Sequence, residues 1–269
     1  MNKALKQIFK ATGLHRQHIA AARMLCERHG LATLSRFRSG RDRSSGRILC
    51  YHSIGQPVGG VNDVPPNRFR RHIDLALHLG YRFVPAEQIA RTGGTARDLA
   101  ITFDDGWTSV LSAAAPILCS YGIPWLLFVV SSWSDHRSAW AREHILPWRD
   151  LERLAANGVQ IGSHSATHPD FGSIEQARMI DELNGSRDMI ERHLGFAPIS
   201  FAIPLGQSMN WTPTADRMAH EAGYETVFAQ AEETRPSGTI GRTFVTRFDS
   251  DRIFSALLRG AYDRWEEWV

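Results

Sequence analysis

The sequence predicts an α/β fold, a closed or nearly closed (β/α) barrel that follows a helical extension. From Arg47 onward, short apolar segments alternate with longer helical patterns, which is typical of a parallel sheet with helices outside it. Polar motifs directly follow several of these segments, at the strand ends where such barrels carry their active residues. The chain has 269 residues, 43% hydrophobic and 22% charged, which suits one large globular domain with an appendage.

Residues 1–46 are predicted to form an N-terminal extension. In residues 1–35, apolar side chains are interleaved with lysines and arginines at helical spacing, with a break expected at Gly13. A basic amphipathic helix can lie on an anionic membrane surface, so one expectation is peripheral membrane contact through residues 1–35. The alternative is a helix that packs on the main domain. Residues 36–47 are rich in arginine and serine and predict a linker, which places the main domain at residues 47–269.

The main domain is predicted to contain eight strands and six helices. The strands are Ile48–His52, Arg82–Val84, Leu99–Phe103, Trp125–Val130, Val159–Gly162, Ile199–Ile203, Glu225–Phe228 and Thr243–Arg247. The helices are Asn67–Leu79, Thr108–Ser120, Trp148–Ala156, Ile174–His193, Pro213–Ala222 and Asp251–Ala261.

The bulk properties exclude several classes of protein. The formal charge of +3 is too small to indicate a nucleic-acid partner. The three cysteines, Cys26, Cys50 and Cys119, are scattered, which predicts buried thiols in a reducing compartment rather than disulfides. We find neither an apolar run long enough to span a bilayer nor a secretory signal pattern. We therefore expect a cytoplasmic protein, with the inner face of the membrane as the surface for any peripheral contact.

Two adjacent carboxylates, Asp104 and Asp105, follow the predicted strand Leu99–Phe103 and precede Gly106. Side chains alternate along a strand, but a turn at glycine allows both carboxylates to face one pocket. Two close carboxylates repel each other, and a divalent cation would neutralise them, with one as a ligand and the other free as a base. The alternative is a turn in which Asp105 caps the helix that begins near Thr108.

Two histidines, His164 and His168, lie four residues apart after the predicted strand Val159–Gly162. Imidazole is a common zinc ligand, and this spacing on a turn can bring both rings to one ion. Together with Asp105 they give three protein donors and leave a coordination position open, which is typical of a catalytic site. We expect Zn²⁺, with Co²⁺ or Ni²⁺ as alternatives.

These motifs, Thr102-Phe-Asp-Asp-Gly106 and His164-Ser-Ala-Thr-His168, resemble the first and second motifs of the metal-dependent polysaccharide deacetylases of carbohydrate esterase family 4, with their NodB homology domain. The resemblance covers residues 47 to about 247. It implies a distorted (β/α)7-type barrel and a hydrolase of non-peptide carbon–nitrogen bonds. It also implies that Asp104 is the general base and that Asp105, His164 and His168 hold the metal.

The third and fifth family motifs are altered in this chain. The stretch Phe201-Ala-Ile-Pro204-Leu-Gly206 keeps the proline and glycine of the third motif but lacks its arginine. The backbone N–H of Leu205 remains a candidate donor to a developing oxyanion, although Pro-x-Gly also fits an ordinary turn. The fifth motif supplies a histidine that acts as general acid, but the matching stretch Phe244-Val-Thr-Arg247 has none.

His52, at the end of the first predicted strand, is our candidate for the missing acid. The first and last strands of a closed barrel are neighbours, and a branch of the family with an early Tyr-His pair has such a permuted arrangement. The alternative is a histidine that only hydrogen-bonds a loop.

The resemblance implies removal of N-acetyl groups from amino sugars of a polysaccharide, an oligosaccharide or a surface-glycan precursor. The alternatives are a deformylase or deacetylase of a lipid-linked amino sugar, an O-deacetylase, or a glycan-binding module with a weakened site. Among the tryptophans we expect Trp107 to line the site.

Overall fold

A computed structural model describes residues 16–34 and 44–265. Every strand pairing in these ranges is parallel. The strands are β1 (Arg47–Tyr51), β2 (Ser53–Ile54), β3 (Asp63–Val64), β4 (Arg82–Phe83), β5 (Asp98–Phe103), β6 (Trp125–Val129), β7 (Gln160–Ser163), β8 (Ser200–Ala202), β9 (Thr226–Phe228) and β10 (Thr243–Phe244).

The main sheet has the order β10-β1-β5-β6-β7-β8-β9, with β4 added on β5. One segment of chain links its two edge strands, β9 and β10. Ile240 forms a parallel bridge to Phe228 of β9, and three residues later Thr243, in β10, pairs with Leu49 of β1. The sheet therefore curls into a distorted (β/α) barrel, and the predicted fold class is confirmed.

Helices cover the outside of the sheet. They are α1 (Arg16–Leu34), α2 (Pro66–His78), α3 (Ala86–Thr92), α4 (Ala115–Tyr121), α5 (Ala139–His144), α6 (Trp148–Ala156), α7 (Gln176–Leu194), α8 (Pro213–Glu221) and α9 (Asp251–Leu258). The short helices α3 and α5 are absent from the sequence prediction. The helix expected at Thr108–Ser120 is interrupted. Residues Val110–Ala114 are π-helical, and the α-helix α4 begins only at Ala115. Pro116 lacks the backbone N–H that a residue in a helix interior donates, so it fits only in the first turn of α4.

Alternation along the strands divides the core into two layers. Leu99, Ile101 and Phe103 of β5 pack toward the helices, in the larger hydrophobic cluster. Ala100 belongs to a separate cluster with Ile48 and Phe128, which fills the inside of the barrel. Side chains two residues apart on a strand share a face. The residues that continue this inner face at the carboxyl ends of β1 and β5 are polar side chains, which therefore point into the barrel.

The N-terminal helix α1 packs on the rest of the protein. Met24, Arg28 and Ala32, spaced four residues apart, are buried. Arg28 forms two bonds of 2.5 Å with the buried carboxylate of Asp249, and its Nη2 donates to the carbonyl of Phe244. Within residues 16–34, the packing alternative is therefore the one observed. Residues 1–15 of the predicted membrane-contact segment and most of the predicted linker lie outside the described residues.

The described helices include none that is both long enough and apolar enough to cross a membrane. The cysteine prediction is partly wrong. All three thiols are free, but only Cys50 is buried, whereas Cys26 and Cys119 are exposed on helical surfaces.

Candidate metal centre and active site

Asp105, His164 and His168 come together at the carboxyl ends of β5 and β7. Asp105 Oδ1 lies 3.6 Å from His164 Nε2 and 3.7 Å from His168 Nε2. Zinc ligands lie about 2.0–2.2 Å from the ion, which places two tetrahedral ligands of one ion about 3.3–3.6 Å apart. The three donors, one carboxylate oxygen and two imidazole nitrogens, therefore fit a divalent metal such as zinc.

Hydrogen bonds orient two of these side chains. His164 Nδ1 lies 2.8 Å from the carbonyl oxygen of Ala202, which requires an N–H at Nδ1 and leaves the lone pair on Nε2. Burial lowers the pKa of His164 to about 4, so the ring is neutral at pH 7, as a metal ligand must be. Trp107 Nε1 donates to Asp105 Oδ2 at 2.9 Å, which leaves Oδ1 facing the histidines. The alternative role of Asp105 as a helix cap is not observed.

The backbone is strained at this site. Asp105, His168 and Leu205 have positive φ angles of 73°, 63° and 64°, a region that non-glycine residues rarely adopt. The turn after β5 is thus made by Asp105 as well as Gly106. Ser165, which follows His164, is also left-handed at 68°. Such conformations persist only where the surroundings hold them, and they cluster at functional sites.

Glu182 of α7 holds the loop between the two histidines. Its carboxylate is 1% exposed and accepts from Thr167 N–H at 2.7 Å and Thr167 Oγ1 at 2.6 Å. Arg178, one helical turn earlier, lies 2.6 Å from the same carboxylate. This anchor fixes the position of His168, the residue after Thr167, and the sequence analysis did not identify it.

Asp104 faces the inside of the barrel and is paired with Arg242. The guanidinium donates to both carboxylate oxygens, with Nη1–Oδ1 of 2.6 Å and Nη2–Oδ2 of 2.8 Å. Burial alone would raise the pKa of Asp104, but the Arg242 guanidinium and the neighbouring His164 outweigh it and hold that pKa well below its usual range. Asp104 is therefore an anion at neutral pH, and its Oδ2 lies 3.9 Å from His164 Nε2.

Known proteins of similar sequence and structure identify the family. The sequence model for polysaccharide deacetylases matches residues 92–227, just over half of the chain. The chain belongs to the polysaccharide deacetylase family. It is 23% identical over 217 residues to YxkH of Bacillus subtilis (strain 168), named as a candidate polysaccharide deacetylase, with 78% of this chain and 75% of YxkH covered.

Solved protein structures share the barrel fold. The Streptococcus pyogenes deacetylase PplD, solved with acetate, aligns with a TM-score of 0.67 and 20% identity, covering 80% of this chain and 98% of PplD. IcaB from Ammonifex degensii aligns with a TM-score of 0.65 and 24% identity, covering 80% of this chain and 97% of IcaB. Family membership supports a hydrolase that acts on amide bonds of acetylated glycans.

His52 and Arg242, which both lie close to Asp104, are outside the matched segment. His52 follows β1 on the inner face, where its ring packs edge-on against Phe244 of β10 at 5.5 Å. Donor atoms of His52, Cys50 and Asp104 lie within 4.8 Å of one another. His52 Nδ1 is buried and has no hydrogen-bond partner within the described residues. The structure thus places His52 beside Asp104. The alternative, a histidine that only hydrogen-bonds a loop, has no hydrogen bond at Nδ1 to support it.

Leu205 lies in a tight turn after β8. Gly206 has φ 72°, and a Cβ added there would lie 2.4 Å from the Cβ of Gln230, so this turn requires glycine. The carbonyl of Gly206 accepts from Gln230 N–H at 2.9 Å. The turn fixes the backbone of Leu205, whose role as an oxyanion donor stays a prediction.

Cys50 contacts the Asp104 carboxylate from the inside of the barrel. Its Sγ lies 3.3 Å from Asp104 Oδ2, and burial raises the pKa of this thiol well above its usual value. The protonated thiol therefore donates to Asp104. Asp104 is held by two different donors, Arg242 and Cys50, neither of which the motif analysis selected.

Proposed function

We propose that the protein is a metal-dependent hydrolase that removes N-acetyl groups from amino sugars of a polysaccharide, an oligosaccharide or a surface-glycan precursor. One observation carries the proposal. Asp104, an anion held by Arg242, lies beside a second carboxylate and two imidazoles whose donor atoms suit one divalent ion. This arrangement separates a ligand carboxylate from a carboxylate available as base.

Asp105, His164 and His168 would hold the metal, for which Zn²⁺ is the best fit to one oxygen and two nitrogen donors. When bound, a divalent ion supplies Lewis acidity and lowers the pKa of a coordinated water toward about 7.

Asp104 accepts the proton of the attacking water as the new carbon–oxygen bond forms at the acyl carbon. Arg242 and Cys50 keep this carboxylate oriented, since they occupy it from two sides. The low pKa of Asp104 keeps it deprotonated at neutral pH, at the cost of making it a weaker base.

His52 in its protonated form gives a proton to the leaving nitrogen as the carbon–nitrogen bond breaks. This step matters because an unprotonated amide nitrogen is a very poor leaving group. The N–H of Leu205 stabilises the negative charge that develops on the acyl oxygen. The products are acetate and a free amino sugar.

Acetate release from defined substrates tests the proposal. Metal-loaded protein is incubated with matched N-acetyl, O-acetyl and N-formyl sugars, free and as oligomers, and the products are followed by mass spectrometry. We expect acetate from the N-acetyl substrates and loss of that activity after removal of metal by a chelator. Turnover of only the O-acetyl or N-formyl substrates would replace the proposed reaction with one of those alternatives. Metal-independent turnover would overturn it.

The location we propose is cytoplasmic, with residues 1–15 in contact with the inner membrane face. We place the contact in residues 1–15 because the side of helix α1 at Met24, Arg28 and Ala32 packs on the protein. Liposome flotation with and without residues 1–15 tests the proposal. Loss of binding to anionic vesicles on deletion is expected, and unchanged partitioning would contradict it.

A further inference from the structure

Three tryptophans form a connected cluster beside the candidate metal centre. Trp140 makes edge-to-face contacts with Trp107 at 5.7 Å and with Trp133 at 5.3 Å between ring centroids. We call Trp107, Trp133 and Trp140 the tryptophan cluster.

Two members of the tryptophan cluster contact metal-site residues directly. Trp107 donates its indole N–H to Asp105, and the ring of Trp133 stacks on the ring of His168 at 5.6 Å. Trp107 lines the site through its bond to Asp105, as predicted. Because it is only 8% exposed, little of its ring is available to contact a sugar. Trp140 packs on the two tryptophans that contact Asp105 and His168, and it is 39% exposed.

The exposed ring of Trp140 is held in place. It lies on the short helix α5, whose first turn is capped by Ser138 Oγ accepting from Ala141 N–H at 3.0 Å. At the other end of α5, the carbonyl of His144 accepts from Gln56 Nε2 at 3.1 Å, and Gln56 Oε1 accepts in turn from Ser109 N–H at 3.0 Å. The cluster and these bonds fix a large, partly exposed aromatic surface beside the site.

We propose that Trp140 forms a subsite for the glycan, stacking against the pyranose ring next to the sugar that is deacetylated. The inference rests on the proposed function. A pyranose presents a face of C–H groups that packs on an aromatic ring, and a rigid ring costs little ordering on binding. The ligand class that fits is an oligosaccharide, because a single sugar at the metal centre would leave Trp140 uncovered.

The test compares Trp140→Ala and Trp140→Phe with wild type on N-acetylglucosamine and its tetramer. Phe196→Ala is the matched control, since Phe196 is 40% exposed but precedes the amino end of β8, at the opposite end of the barrel. For Trp140→Ala we expect KM for the tetramer to rise on the order of tenfold, with a much smaller change in kcat/KM for the monomer. Trp140→Phe should keep part of the tetramer affinity, and Phe196→Ala should behave as wild type.

Unchanged tetramer KM in Trp140→Ala, or equal loss for monomer and tetramer, would overturn the subsite while leaving deacetylation intact. Calorimetric titration of the tetramer gives a second readout that does not depend on turnover. If wild type releases no acetate, the proposed function fails, and the subsite stands only if wild type binds the tetramer and Trp140→Ala does not. Failure of the wild-type protein to bind the tetramer in that case would overturn the subsite as well.

Discussion

Arg242 and Asp104 form a buried bidentate ion pair, with N–O distances of 2.6 and 2.8 Å, between residues 138 positions apart in the chain. The motif comparison left the candidate base without an arginine, because the third family motif lacks it in this sequence. The arginine instead comes from the segment just before β10. This pair removes one of the two reasons for regarding the site as a weakened glycan-binding module.

Replacing Arg242 by methionine is expected to lower both stability and activity. Removing one partner of a buried ion pair leaves an uncompensated charge, which typically costs about 3–5 kcal/mol. Urea unfolding and acetate release measure the two effects. The control is Arg217→Met, because Arg217 and Glu221 form an exposed helical pair that should contribute little. An Arg242→Met protein as stable and active as wild type would contradict this account of Asp104.

Replacing His52 by alanine is expected to lower kcat by a factor on the order of 10²–10⁴, the usual contribution of a general acid. Metal content should stay at the wild-type level, because His52 is not among the three predicted ligands. His78→Ala, an exposed histidine at the end of α2, is the control. Near-normal turnover with full metal would remove His52 from the mechanism.

Arg28→Met is expected to destabilise the whole protein by about 3–5 kcal/mol, since it leaves Asp249 buried without its partner. The neighbouring Arg23→Met is the control on the same helix, because Arg23 is 49% exposed in its pair with Glu27. Both are measured by urea unfolding at equal ionic strength. Equal effects of the two substitutions would show that docking of α1 does not depend on the buried pair.

Stability is expected to fall as the pH drops from 6.5 toward 4, in part because of His72. Burial lowers the pKa of His72 to about 4, so the folded state keeps the ring neutral while the unfolded chain binds a proton below its usual pKa of 6.5. The stabilisation is complete above pH 6.5 and amounts to about 3 kcal/mol. The ring is placed by Tyr51 Oη at 3.1 Å and by the Asp249 carbonyl at 2.6 Å.

His72→Gln isolates this contribution. The variant should be less stable at neutral pH, but its free energy of unfolding should fall less steeply with acid than that of wild type. Other groups, His164 among them, titrate in both proteins and cancel in the comparison. Parallel pH dependences would show that His72 is not buried as a neutral ring.

The sequence was sufficient to predict the barrel and to select Asp104, Asp105, His164 and His168, which the structure brings together. Short apolar strands such as Leu99–Phe103 mark the sheet, and the charged or imidazole side chains after β5 and β7 mark its active end. Those signals are local, and they survive in a single sequence. The helices α3 and α5 were missed because each is only six or seven residues long and has little periodicity to detect.

The supporting residues of the site could not be found in the same way. Arg242, Glu182 and Cys50 act through contacts made only after folding, and nothing in their flanking sequence distinguishes them from surface or core residues. The sequence does not distinguish Trp140 from the other tryptophans in or near loops, most of which belong to the core or to helix starts. Only its exposure in the folded protein, together with its contacts to Trp107 and Trp133, indicates a role in binding.

The proposed division of roles makes Asp105 a metal ligand and Asp104 the base that takes the proton of the attacking water. It is tested most directly by measuring bound metal and acetate release on the same samples of wild type, Asp104→Asn and His168→Ala. Asp104→Asn is predicted to keep the wild-type amount of metal and lose nearly all activity, whereas His168→Ala is predicted to lose both. An Asp104→Asn protein that remains active, or that loses its metal, would contradict the division of roles between the two carboxylates.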